Sequence, residues 1–170
     1  MLARESVKHG LVILVGLMWL LLSLSGCVAD DDDDGGEESG DRVAFSLLRS
    51  GQASGVDDER LTVMREQAAF ADLWQEHAAA FSPPPIQPEV DFSQDMVVAV
   101  FLGRRATGGH SLTVTEIRER SASFLVKLRA TLPEEGCTVS DNPSQPYQMV
   151  VVPRSTKVVA FSFEVQVGCP

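Results

Sequence analysis

Past residue 26 the sequence holds two histidines, His77 and His110. His110 is followed by Ser111, so a base stands beside a nucleophile. Neighbours on a strand point to opposite faces, however, and if a strand begins there the two side chains cannot meet. Glu134 and Glu135 could divide acid and base roles, yet adjacent acids in a loop are ordinarily just solvated. There is no Gly-x-Ser-x-Gly elbow, no His-Glu-x-x-His helix and no phosphate-binding glycine loop. The sequence therefore points to no catalytic residue, no metal site and no cofactor. The chemistry it does offer is recognition. Arg104 and Arg105 put two permanent cations in a loop with Thr107, Gly108, Gly109 and His110, beside flexible backbone donors. Such a pair suits carboxylates on a partner. The plainer alternative is a solvent-facing turn whose arginines keep a sheet end soluble.

The elements around that loop set its position. Met96 to Leu102 is an unbroken apolar run containing three valines, the composition of a strand covered on both faces. Gly103 to His110 is too polar and too rich in glycine to extend it. Ser111 to Ile117 alternates Leu112 and Val114 with Thr113 and Thr115, which predicts a half-buried strand returning antiparallel to the central one. Upstream, Val43–Arg49 and Arg60–Arg65 read as strands around a loop at Gly51–Asp58. Ala68 to Ala80 is the one convincing helix, with Phe70, Leu73, Trp74, His77, Ala78 and Phe81 on a single stripe. On that stripe His77 reads as a residue of the core edge satisfied by a hydrogen bond. Pro83 to Pro85 stop the helix, and Pro85-Ile86-Gln87-Pro88 reads as a strap rather than a polyproline ligand. Downstream, Phe124–Leu132 follows a short turn, and Pro133 to Pro146 forms a loop long enough to bind something. Tyr147–Val152 and Lys157–Val167 then read as a hairpin across Pro153–Thr156. The expectation is an α+β domain over residues 42–170: an antiparallel sheet or sandwich of about seven strands with one packed helix.

The N-terminus speaks of address. Arg4 and Lys8 precede the apolar run Leu11–Leu22, which at twelve residues is short for a membrane span. The run ends at Leu24-Ser25-Gly26-Cys27, which resembles the lipobox of bacterial lipoproteins. That resemblance implies a signal peptide over residues 1–26, cleavage before Cys27, and acylation of that cysteine. The alternative is an uncleaved signal anchor with an incidental cysteine. Val28 follows, not aspartate, which favours the outer membrane of the cell envelope. Residues 27–41 form a tether holding eight carboxylates between positions 30 and 41. The aspartate spacing there imitates a calcium loop, but a run of five aspartates does so by accident. The formal net charge of −10 disfavours a nucleic-acid partner, although the tether carries most of it. With Cys27 lipidated, Cys137 and Cys169 remain as a pair in an oxidising compartment. A bridge between them would close a loop of about 33 residues and contribute roughly 3–4 kcal/mol; the alternatives are two separate thiols, or Cys137 as a nucleophile.

Leu73-Trp74-Gln75-Glu76-His77, Pro83–Pro85, Asp91-Phe92, the Val97–Leu102 strand, Gly103 through Thr107-Gly108-Gly109, and Gln145-Pro146-Tyr147 follow one another in a familiar order. Together they resemble the C-terminal domain of the protease-complex subunit PrcB family of bacterial envelope lipoproteins, across roughly Arg42 to Phe163. A departure is His110, where the family pattern leads one to expect tyrosine. The resemblance implies an accessory subunit, anchored through Cys27, that helps an exported protease complex assemble or persist, and it carries no catalytic residue with it. Two rival readings are an envelope hydrolase built on His77, His110 and nearby acids, and a small-molecule or glycan binder using the Pro133–Pro146 loop.

Overall fold

The computed structural model describes residues 40–170. The stretch read from the sequence as a signal peptide, Cys27 and the expected tether as far as residue 39 lie outside the described residues. The described part is α+β: eight strands in two four-stranded sheets, and one helix. The first sheet orders β1 (Asp41–Arg42), β5 (Ser111–Glu119), β6 (Ser123–Leu132) and β8 (Val158–Val167). The second orders β2 (Ser46–Gly51), β7 (Tyr147–Pro153), β4 (Asp95–Phe101) and β3 (Arg60–Met64). The helix α1 (Gln67–Ala78) covers the outer face of the second sheet.

The seven-residue apolar run explains this layering. Alternate residues of β4 point to opposite faces. Met96, Val98, Val100 and Leu102 enter the core between the sheets, with Leu112, Ile117, Phe124, Val126 and Val150. Val97, Ala99 and Phe101 enter a second core under α1, with Phe70, Leu73, Trp74 and Met149. From Met96 to Phe101 no position on β4 meets water, so none needs to be polar. The helical stripe is buried as its spacing requires, with Phe81 half-buried. Arg60 holds α1 to β3 through Glu76 (Nη2 to Oε1, 2.9 Å), and Trp74 Nε1 donates to the Pro85 carbonyl at 3.2 Å, seating the proline strap.

Two predicted pairings are corrected. Ser111–Ile117 does not return along β4: the glycine loop carries the chain across to the other sheet, where β5 pairs with β6 and β1. Nor do β7 and β8 form a hairpin. β7 pairs with β4 and β2, whereas β8 crosses over and runs parallel to β6, so the sandwich is not wholly antiparallel. The reason is one of length. Four extended residues reach at most about 14 Å, which spans both the ~5 Å between paired strands and the ~10 Å between stacked sheets. Pro153–Thr156 fits either geometry. Contacts far away in sequence decide: Arg154 N donates to the Gln94 carbonyl (2.7 Å), and Arg65 donates to the carbonyls of Ser155 (2.7 Å) and Lys157 (2.9 Å).

Candidate partner-binding surface

The loop after β4 begins with a backbone requirement. Gly103 has φ of +73°, and a Cβ there would lie 2.7 Å from Glu59 N and 2.8 Å from Asp57 O. Only glycine fits without moving the 57–59 backbone. The same contact turns the chain outward: Arg104 N donates to Asp57 O at 2.8 Å, and the Arg104 side chain is exposed, with no ion pair among the described residues.

Arg105 behaves differently from its neighbour. Its backbone exchanges hydrogen bonds with Ser144 (N to O 2.8 Å, and 3.0 Å in return), and its Nη2 donates to Leu102 O at 2.6 Å. Its guanidinium also lies 3.5 Å from Glu59. The expected pair of outward cations is thus one presented cation, Arg104, and one cation folded back to close its own loop. Sequence could not separate them, because the difference lies in what stands beside each side chain.

The rest of the loop is fastened to residues 133–146. The Thr107 carbonyl accepts from Ser144 Oγ at 2.8 Å, and Gly108 N donates to Ser140 O at 2.8 Å. Gly109, at φ +82°, leaves room for Val139, whose Cγ1 would be 2.6 Å from an added Cβ. Both glycines serve the structure rather than a ligand. The 133–146 loop is itself fixed: Cys137 and Cys169 form a disulfide, and Gly168 N donates to Leu132 O at 3.1 Å. Two loops that the sequence presents separately form one surface.

Between them lies an open groove of about 620 Å³ lined by His110, Gln52, Ser111, Thr131, Ser140, Asn142 and Pro170. His110 Nδ1 is buried and unpartnered, and burial, with Arg105 close by, pushes the imidazole below its ordinary value. No Asp or Glu side chain lines this groove. Asn142 belongs to the Pro133–Pro146 loop that the sequence offers as a binding surface, whereas nothing in the sequence singles out Gln52. Their only sequence signal was membership of loops, since hydrogen bonds such as Gln145 N to Gln52 O (2.8 Å) bring these segments together across the fold.

His77 sits elsewhere. It is fully buried under α1, ringed by Trp74, Phe81, Phe101 and Tyr147, with centroids 4.5–6.4 Å away. Ser54 Oγ lies 2.9 Å from its Nδ1 and also accepts from Val56 N, an arrangement that suits a hydroxyl donating to the imidazole. This serine–histidine pair escaped the sequence reading. With the serine 1% and the histidine 0% exposed, no substrate can reach it. The two histidines that a hydrolase would need together are held in separate surroundings. Among the described residues, no cluster of three or more His, Cys, Asp or Glu side chains is placed to hold a metal ion.

Residues 96–153 match the family model described as PrcB C-terminal. The match runs from β4 through the glycine loop, β5, β6 and the 133–146 loop to β7, so it contains both loops of the surface. It is narrower than the resemblance drawn from the sequence motifs, leaving out α1 and the proline strap. No curated protein and no solved structure matches the chain.

Proposed function

We propose that this chain is a non-catalytic accessory subunit of an exported protease complex, held at the cell envelope by a lipid on Cys27. It meets its partner protein through the surface formed by Gly103–His110 and Pro133–Pro146. The observation that carries the reading is the match of residues 96–153 to the PrcB C-terminal family, whose span contains both loops of that surface. The geometry agrees with it. Hydrogen bonds and a disulfide hold both loops, so the surface is ordered before a partner arrives and little entropy is lost on docking. Arg104 offers a single cation for a carboxylate on the partner.

The test is crosslinking in intact envelopes with a photoreactive residue at position 104, and in parallel at Thr113 on the outer face of β5. A discrete protein adduct at 104 and none at 113 is expected, and deleting the chain should lower the abundance of that adducted protein. An unchanged envelope proteome with no adduct would remove the proposal. Turnover of any substrate that disappeared with His110→Ala would replace it with the hydrolase reading.

A further inference from the structure

β8 is an edge strand of unusual character. Among the described residues it ends the first sheet; it pairs with β6 in unbroken register over all ten residues, and has no proline, no bulge and no lysine. Edges of this kind are normally short, bulged or charged, because their free amides and carbonyls invite another strand. β3, the neighbouring edge of the second sheet, is only five residues long. Sheet two therefore stops short of β8, and the seam between them stands open, lined by Leu61, Val63, Val159 and Phe161. The side chains that continue this row, Phe163, Val165 and Val167, point to the same inter-sheet side as Leu128, Ala130 and Leu132 opposite them on β6. They are nevertheless 39%, 55% and 64% exposed.

We propose that this edge is a homodimer interface in which β8 pairs antiparallel with β8 of a second copy, continuing the first sheet from one molecule into the next. Self-pairing is argued from the strand's own pattern and charge. Directly opposed residues on antiparallel strands share a face. With Phe163 on the two-fold axis, Phe161 opposes Val165 and Val159 opposes Val167, so all five apolar side chains are matched over the open seam. On the other face Ala160 opposes Gln166, and Ser162 opposes Glu164. Glu164 is the strand's only charge and is already paired with Arg129 at 3.1 Å, so it meets a hydroxyl and no second carboxylate. Shifting by one pair toward the C-terminus would set Glu164 against Glu164, and shifting the other way would leave Val167 unmatched. The pairing is nine residues long, about 30 Å, a small interface. It calls for a dissociation constant of the order of 10 μM rather than a permanent dimer.

The experiment uses the full chain in detergent, with light scattering and sedimentation from about 1 to 200 μM, and hydrogen exchange at both ends of that range. A monomer–dimer equilibrium is expected, with β8 amides gaining protection as the dimer forms. Val165→Lys should weaken it at least tenfold while leaving the melting temperature of the dilute monomer in place, since that side chain is already more than half exposed in the single copy. Ser162→Lys, which sets an ammonium opposite the second copy's Glu164, should tighten it several-fold, and Thr113→Lys on β5 should change nothing. A monomer throughout the range would overturn the proposal, as would a dimer indifferent to both β8 substitutions. So would β8 amides protected only when a different protein is added. None of these outcomes bears on whether position 104 finds a protein in the envelope.

Discussion

His77 couples the fold to pH. Burial, with a smaller effect of the nearby Arg49 cation, holds its imidazole down to about 4. In the unfolded chain it titrates near its ordinary value of about 6.5. Between those values the unfolded chain binds a proton that the folded chain refuses, so this contribution to stability is complete above pH 6.5. It is lost as the pH falls toward 4, amounting to about 2–3 kcal/mol. Urea midpoints measured at pH 7 and pH 4.5 should show His77→Gln losing less stability on acidification than the parent, although it starts from a lower value. Equal losses would mean that the imidazole is not protected as described. Gly103 makes a separate prediction at the same scale. Its alanine variant needs a left-handed backbone and drives a Cβ into the 57–59 backbone, and should cost about 1–3 kcal/mol. Gly108→Ala meets only Ser140, its Cβ at 3.2 Å and its backbone at 3.7 Å, without positive φ, and should cost under about 1 kcal/mol.

Elements in this protein are more local than their partners. β4 is the clearest case: seven consecutive apolar residues read directly as a strand with two covered faces, and its two cores are what that reading requires. What β4 pairs with is another matter, since its neighbours β3 and β7 stand on either side of it in the sheet and far from it in sequence. The loop at 133–146 shows the same dependence. It carries no regular element of its own, and its shape comes from the glycine loop on one side and the disulfide on the other. Replacing Cys137 and Cys169 together by serine should lower stability by about 2–4 kcal/mol, as removal of a crosslink over a loop of this length does. The amides of 133–146 should then exchange faster than those of β4 or β7. If stability fell while that loop kept its protection, the hydrogen bonds to Gly108 and Thr107 would be holding it without the bridge.

For the molecule as a whole, address and shape are separable. The lipobox reading of Leu24–Cys27 predicts that Cys27→Ser leaves an uncleaved precursor without acyl chains, detected by mass spectrometry of the N-terminus and by detergent phase partition. A mature N-terminus at any other residue would contradict it. That prediction needs only a short linear motif, because a processing enzyme reads the chain before it folds. The same holds for the helix stripe, the buried strand and the composition of the glycine loop, each of which depends on neighbours within a few residues. The sequence alone therefore determined the class of fold and the presence of a polar, glycine-rich loop after the buried strand. Tertiary structure alone decided that the glycine loop and the last linker step between sheets, and that β8 lies parallel to β6. It also decided that Arg104 faces outward while Arg105 is consumed inside its loop. These outcomes rest on hydrogen bonds between residues some 40 to 90 positions apart, such as Arg105 with Ser144 and Arg65 with Ser155, and no local pattern records which distant group will stand opposite a given side chain.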